Sequence, residues 1–173
     1  MNKSGKLMRI TAVNSAKDSP KAAVLLDFDD TAAEQNVAEL LLTQFGDHTW
    51  QDVRSRFRAG EINLKEYQEI AFRNIQADRA AMQDHVRNNA NLRPYFNDLR
   101  IFCQENSIPF AIVSQGLDFY IEALLEKEGH TQVPVYAVNT SFSNEGISYE
   151  YRHTRPGQES QGNSKGLVVE QHQ

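Results

Sequence analysis

Residues 22–31 read AAVLLDFDDT, a short continuous apolar run that ends in acidic residues. Such a run is typical of a strand that is buried on both faces of a parallel sheet. Ligands of open α/β sheets bind at the carboxyl ends of the strands. The stretch therefore predicts a central strand that carries Asp27 and Asp29 into one site.

The pattern changes to helical periodicity over residues 34–105. Two further candidates for buried strands follow, at residues 108–113 (IPFAIV) and 133–138, with a helix between them. This alternation predicts an α/β fold with a Rossmann-like parallel sheet and right-handed crossovers. Because the helical block is too long for one crossover, we expect it to form a small inserted α-helical cap at the carboxyl edge of the sheet.

The remaining signals set the expected domain limits. Asn144-Glu145-Gly146 predicts a hairpin, and Ser164 is a candidate cap for a last helix from Lys165. We expect residues 1–21 to form a flexible tail. Residues 22–33 and 106–173 are expected to form the core, and residues 34–105 between them the cap.

Composition excludes several classes of protein and partner. The net charge is −5 and no stretch concentrates Lys and Arg, which argues against a nucleic-acid partner. The only cysteine, Cys103, excludes an intrachain disulfide. No apolar run approaches the ~18–20 residues that span a bilayer, so no membrane partner is expected. The cytoplasm is the expected compartment.

Asp27 and Asp29 are two residues apart where the chain leaves the strand. Two carboxylates held together repel each other unless a cation or a shared proton intervenes. With Mg²⁺ such a pair suits phosphoryl transfer, in which one carboxylate attacks phosphorus and the other handles the proton of the leaving group. An acidic loop or an adventitious cation site would give the same local sequence.

Two more segments supply the other groups that phosphoryl transfer requires. Ser114-Gln115-Gly116 follows the second strand, where a hydroxyl and backbone amides at a helix N-terminus form an anion site. Lys165 lies at a later helix start and can neutralise Asp27 and a phosphoryl group. An ordinary strand–helix turn and a solvated lysine are the plain alternatives, but the order of the three segments favours a phosphotransfer site.

DFDDT at 27–31 resembles the first motif of the haloacid dehalogenase superfamily, and VSQGLDFYI at 113–121 resembles the second motif of its phosphoserine-phosphatase-like subfamily. The resemblance is strongest to the branch with the methionine-salvage phosphatases. The resemblance covers residues 22–173. Lys165 lies where the third-motif lysine of the family is expected, and the helical block matches the small helical cap of such enzymes.

The resemblance implies a Mg²⁺-dependent phosphomonoester hydrolase of a small phosphorylated metabolite, with an aspartyl-phosphate intermediate. Asp27 would be the nucleophile and a metal ligand, and Asp29 the general acid and base, with its carbonyl on the metal. Lys165 would stabilise charge on the phosphoryl group. The phosphate would be held by the remaining motif residues: Thr31, Ser114, Gln115 and Gly116.

Three departures from the family pattern qualify this expectation. Asp30 stands where glycine is commonest, and Asn36 stands where phosphoserine phosphatases carry a glutamate that recognises the substrate amine. No GDxxxD-like fourth motif follows Lys165, so a third acidic metal ligand is missing. We therefore expect a C-terminally truncated chain with an apolar sheet edge open to self-association.

The missing motif leaves an alternative open, a truncated or degenerate protein that keeps a phosphate pocket but catalyses little or nothing. A receiver-like domain also gathers acids at strand ends, but the helical insertion after the first strand argues against it. Arg54, Arg56 and Arg58 alternate along a helix, and we expect a solvated face there rather than a phosphate clamp.

Overall fold

The computed structural model describes residues 11–12 and 22–171. Five strands form one sheet in the order β1-β2-β3-β4-β5. The strands are β1 (Thr11–Ala12), β2 (Ala22–Leu26), β3 (Phe110–Leu117), β4 (Val135–Ser143) and β5 (Gly146–Glu150). The helices are α1 (Val37–Phe45), α2 (Trp50–Arg58), α3 (Leu64–Arg73), α4 (Arg79–Asn89), α5 (Tyr95–Glu105), α6 (Asp118–Lys127) and α7 (Lys165–Gln171).

The centre of the sheet is parallel, as the alternation of strands and helices predicts. β2 pairs parallel with β3, where Leu26 lies opposite Ile112. β3 pairs parallel with β4, where Ile112 lies opposite Val135. β5 returns antiparallel to β4 through the predicted hairpin, in which Ser143 pairs with Gly146. The predicted fold class is confirmed.

The amino-terminal edge departs from the expected tail. Thr11 and Ala12 pair antiparallel with Ala23 and Ala22 of β2. The rest of the predicted tail, residues 1–10 and 13–21, lies outside the described residues.

The helices α1–α5 lie between β2 and β3 in the chain and divide into two packing groups. α4 packs against α6 and α5 against β3, while α2 packs against α3 and α3 contacts β5. α3 begins with a capping box between Asn63 and Glu66, which satisfies two backbone N–H groups at the helix start. The division into cap and core remains a prediction. Among the described residues, no helix is both long and apolar enough to cross a bilayer.

β3 ends later than the sequence predicts. The apolar run stops at Val113, but the strand continues to Leu117 and the helix begins at Asp118. An irregularity in the pairing with β4 lies between Val113 and Leu117 and accommodates this polar extension. Ser114, Gln115 and Gly116 therefore lie on extended backbone rather than at a helix N-terminus.

Asp118 joins α6 to β4. Its carboxylate is buried and accepts hydrogen bonds from the backbone N–H and the hydroxyl of Thr140 and from the N–H of Phe119. A buried carboxylate of this kind stabilises a fold through its charge-assisted hydrogen bonds.

Asp118→Ala is expected to lower the free energy of unfolding by about 2 kcal/mol, because it removes those bonds and leaves Thr140 unpaired. Urea denaturation measures the difference. Asp84→Ala, which removes an exposed carboxylate that pairs with Arg87, is the matched control and should change stability by less than about 0.5 kcal/mol. Equal effects of the two substitutions would contradict the prediction.

Candidate active site

A wide turn over Phe28–Ala32 positions the acidic residues after β2. It is closed by hydrogen bonds from the N–H of Ala32 to the carbonyl of Asp27 (3.1 Å) and from the N–H of Ala33 to that of Phe28 (3.0 Å). Asp30 has φ +58, in the left-handed region that glycine adopts without strain and that aspartate tolerates better than most residues. This backbone conformation gives a physical reason why glycine is usual at this position.

Lys165 forms an ion pair with Asp27. Its Nζ is 2.7 Å from Oδ1 of Asp27, although the two residues are far apart in the sequence. α7 starts at Lys165, and the hydroxyl of Ser164 accepts from the N–H of Leu167 (3.2 Å), as the sequence predicts for its cap. The structure thus brings together two of the three residues predicted to catalyse the reaction.

Asp29 is held on both carboxylate oxygens. Oδ1 accepts from the N–H of Val37 at the start of α1 (2.8 Å), and Oδ2 accepts from the hydroxyl of Tyr120 (3.1 Å). Burial raises the pKa of Asp29 to about 6, and the charge of Asp27 adds to this, while the two hydrogen bonds lower the pKa. The side chain is therefore fixed in place beside Asp27.

The predicted phosphate loop is only partly arranged as expected. Ser114 is buried, and its Oγ accepts from the N–H of Gly116 (2.9 Å), so this amide is satisfied within the loop. The hydroxyl of Ser114 keeps its own proton for donation to an acceptor. Asn163, two residues before Lys165, donates from Nδ2 to the carbonyl of Ser114 (3.3 Å) and links the two segments.

Thr31 contributes through its backbone. Its carbonyl accepts from Nε of Arg93 (3.0 Å) and from the hydroxyl of Tyr95 (2.7 Å). Its Oγ1 is buried and has no hydrogen-bond partner in residues 11–12 and 22–171. The predicted role of the Thr31 hydroxyl in holding phosphate stays a prediction.

A cavity of about 220 Å³ opens over Asp29. Its walls come from α1, α2, α3 and the β3–α6 segment. Arg54 and Arg58 both line it. The expected solvated face is wrong for Arg54, which is 27% exposed, whereas Arg58 is 67% exposed and lies at the solvated edge of the cavity. Arg54 pairs with Glu39 across the cavity wall (2.6 Å), whereas Arg56 pairs with Glu61.

Two residues of the site, Gln68 and Tyr120, were not predicted from the sequence. Gln68 lies on α3 between Leu64 and Phe72, and all three line the cavity. A polar residue at the centre of this i, i+4, i+8 stripe is the signal that could have identified it. Tyr120 has no comparable signal, because it lies between two apolar residues, Phe119 and Ile121, and reads as part of the core.

The oxygen donors of Asp27 and Asp29 fit Mg²⁺ in kind. Mg²⁺ prefers hard oxygen ligands and is commonly held by one or two carboxylates together with water and substrate phosphate. Within residues 11–12 and 22–171, no three His, Cys, Asp or Glu side chains converge as a metal site. The described residues therefore supply a partial ligand set.

Curated relatives are phosphatases of one kind. The chain is 31% identical over 135 residues to the 2-hydroxy-3-keto-5-methylthiopentenyl-1-phosphate phosphatase of Exiguobacterium sibiricum, with 76% of this chain and 60% of the relative covered. It is 27% identical over 131 residues to the enzyme of the same name from Brevibacillus brevis, with 75% and 59% covered. The chain thus spans about three-fifths of these relatives. No protein-family model matches the chain.

Solved structures establish the fold. One neighbour is a HAD-family hydrolase from Salmonella enterica serovar Typhi, with a TM-score of 0.58 at 12% identity, covering 70% of this chain and 42% of that chain. Another is a phosphoserine phosphohydrolase-like protein from Francisella tularensis, with a TM-score of 0.55 at 15% identity, covering 73% and 63%.

Proposed function

We propose that this chain, whose fold is that of the haloacid-dehalogenase-type hydrolases, hydrolyses small phosphomonoesters with Asp27 as nucleophile. The observation that carries the proposal is the 2.7 Å contact between Nζ of Lys165 and Oδ1 of Asp27. A cation in this position stabilises the negative charge on the phosphoryl group in the transition state of its transfer to the carboxylate.

In the proposed first step, a carboxylate oxygen of Asp27 attacks phosphorus, and the bond from phosphorus to the alcohol oxygen breaks. Asp29 donates its proton to the departing oxygen and then takes a proton from the water that hydrolyses the aspartyl-phosphate. The N–H of Val37 and the hydroxyl of Tyr120 hold Asp29 for both transfers. Mg²⁺, held by Asp27 and the carbonyl of Asp29, would supply positive charge to the phosphoryl oxygens.

The phosphate is assigned to the loop beside these acids. The buried hydroxyl of Ser114 donates to a phosphate oxygen, while Gln115 and Gly116 bring the backbone close to it. Thr31 completes the loop after Asp27.

The leaving group is assigned to the cavity over Asp29, and the helices of residues 34–105 act as its cap. A volume of about 220 Å³ suits a small metabolite. The substrate named for the relatives, 2-hydroxy-3-keto-5-methylthiopentenyl 1-phosphate, is the first ester to assay. Phosphoserine is disfavoured, because Asn36 caps α1 by accepting from the N–H of Glu39 and carries no charge for an amine.

One observation favours a second candidate, a phosphate-binding protein without turnover. Among the described residues, no third acidic side chain converges with Asp27 and Asp29 as a metal site. Such a protein would bind phosphate esters and release them unchanged.

The test is hydrolysis of p-nitrophenyl phosphate by the whole chain, with Mg²⁺ and with EDTA. We expect turnover with Mg²⁺ and its loss with EDTA, because phosphoryl transfer needs charge neutralisation beyond that of Lys165. Tight binding of phosphate without any turnover would overturn the enzyme in favour of the second candidate.

A further inference from the structure

Gln68 is a buried polar residue in the wall of the cavity. Its side chain is 7% exposed, and it lies on α3 facing the segment that carries Gln115 and Gly116. Buried amides nearly always have partners for both their oxygen and their nitrogen. In Gln68 the amide nitrogen has a hydrogen-bond partner, and the amide oxygen has none among the described residues.

The orientation of the Gln68 amide is fixed by one hydrogen bond. Nε2 donates to the backbone carbonyl of Gln115 at 2.6 Å. A carbonyl oxygen only accepts, so the NH₂ end must face it and the oxygen must point away. Oε1 is buried and has no hydrogen-bond partner among residues 11–12 and 22–171.

An unpaired acceptor in the cavity wall affects which ligands the cavity binds. Asp29 and Gly116 line the same cavity, and Gln115 belongs to the predicted phosphate loop. A leaving group whose phosphate lies at that loop therefore enters the cavity that Gln68 lines. A buried acceptor that stays unpaired weakens binding, so a ligand that pairs it is selected over one that does not.

The charges of the cavity decide which donor fits. The guanidinium groups of Arg54 and Arg58 line the cavity, and both lie near Glu39, at 2.6 and 3.9 Å. The carboxylates of Glu39 and Asp29 line the same cavity and offset these two charges, so the lining offers a donor no net charge to pair with. A neutral hydroxyl is the donor that matches both the amide oxygen and its surroundings.

We propose that Gln68 is a specificity residue, whose Oε1 accepts a hydrogen bond from a hydroxyl of the leaving group near the ester oxygen. The substrate class is then that of hydroxylated small phosphate esters. This inference rests on the proposed function for its reaction, but the binding preference can be measured without turnover.

The test compares 2-hydroxyethyl phosphate with ethyl phosphate, which differ by one hydroxyl. Binding to the Asp27→Asn variant is measured by calorimetry with Mg²⁺ present, and hydrolysis is measured with unsubstituted Asp27. We expect the hydroxylated ester to be favoured about 10-fold or more in Kd and in kcat/KM.

Gln68→Met keeps the length of the side chain and removes the amide. The preference for the hydroxylated ester should then fall to within about threefold of unity. Gln83→Met is the matched control, because Nε2 of Gln83 also donates to a backbone carbonyl, that of Phe119 at 3.0 Å, but Gln83 does not line the cavity. This control should keep the preference.

The outcomes separate the two proposals. Equal binding of the two esters, absence of binding of both, or a preference that survives Gln68→Met overturns the role of Gln68. Hydrolysis of both esters at equal rates would leave the proposed function standing. A binding preference that Gln68→Met abolishes, without hydrolysis of either ester, would support Gln68 and contradict the enzyme.

Discussion

Asp27→Asn is expected to lower the rate of p-nitrophenyl phosphate hydrolysis by about 10³-fold or more, which would leave no measurable turnover. A neutral amide oxygen is a poor nucleophile towards phosphorus, and the substitution also removes the charge that Lys165 contacts at 2.7 Å. The fold should persist, because Lys165 is 45% exposed and regains water when its partner is neutral. Initial rates at saturating substrate measure the effect, and circular dichroism checks the fold.

Asp30→Asn is the matched control for this experiment. Asp30 lies three positions along the same turn and is exposed, and its carboxylate accepts only a long contact from Asn36 at 3.4 Å among the hydrogen bonds of the described residues. Asparagine tolerates the φ of +58 as well as aspartate does. The control should stay within a few-fold of the parent rate. Retention of a tenth or more of the rate by Asp27→Asn would exclude Asp27 as the nucleophile.

Gly116→Ala is expected to destabilise the chain by about 3 kcal/mol and to reduce activity. A Cβ at Gly116 would overlap the hydroxyl of Tyr120 and lie 3.0 Å from Oδ2 of Asp29. Tyr120 is fully buried, so its ring has little room to withdraw. The midpoint of thermal unfolding should fall by roughly 6–12 °C for a change of this size.

Tyr120→Phe separates crowding from other effects of the added methyl group. It removes the oxygen that the Cβ meets first, although the ring carbon behind it remains at 2.9 Å. Gly116→Ala should therefore cost less in the Tyr120→Phe background than in the parent, by about 1 kcal/mol or more in a double-mutant cycle. Additive effects of the two substitutions would show that the crowding lies elsewhere.

The elements that the sequence predicted best are those fixed by local chemistry. The apolar run at 22–28 and the acids behind it predicted β2 and its turn, and the hairpin at 144–146 follows from its turn residues. The curated relatives confirm the resemblance to phosphatases of this kind, and the solved structures confirm the fold. The resemblance also predicted that Lys165 meets Asp27, a contact that no local pattern contains.

Long-range geometry accounts for what the sequence left out. The end of β3 depends on pairing with β4, so the polar residues after Val113 gave no sign that the strand continues. The hydroxyl of Tyr120 reaches Asp29 across 91 positions of sequence, and Arg54 turns inward because Glu39 on a different helix meets it. These contacts depend on how α1, α2 and α6 pack, which periodicity alone does not determine.

Two glutamines, Gln68 and Gln83, attach the inserted helices to the β3–α6 segment, and both donate to backbone carbonyls. Every residue type offers a carbonyl, so the accepting positions, Gln115 and Phe119, can change identity without losing the bond. The donating positions tolerate fewer changes, because the bond needs a side-chain donor of suitable reach. Mutational tolerance is thus asymmetric across this contact. Substitutions at Gln115 and Phe119 keep each hydrogen bond, whereas loss of the donor at Gln68 or Gln83 removes it and leaves only the packing of the helices.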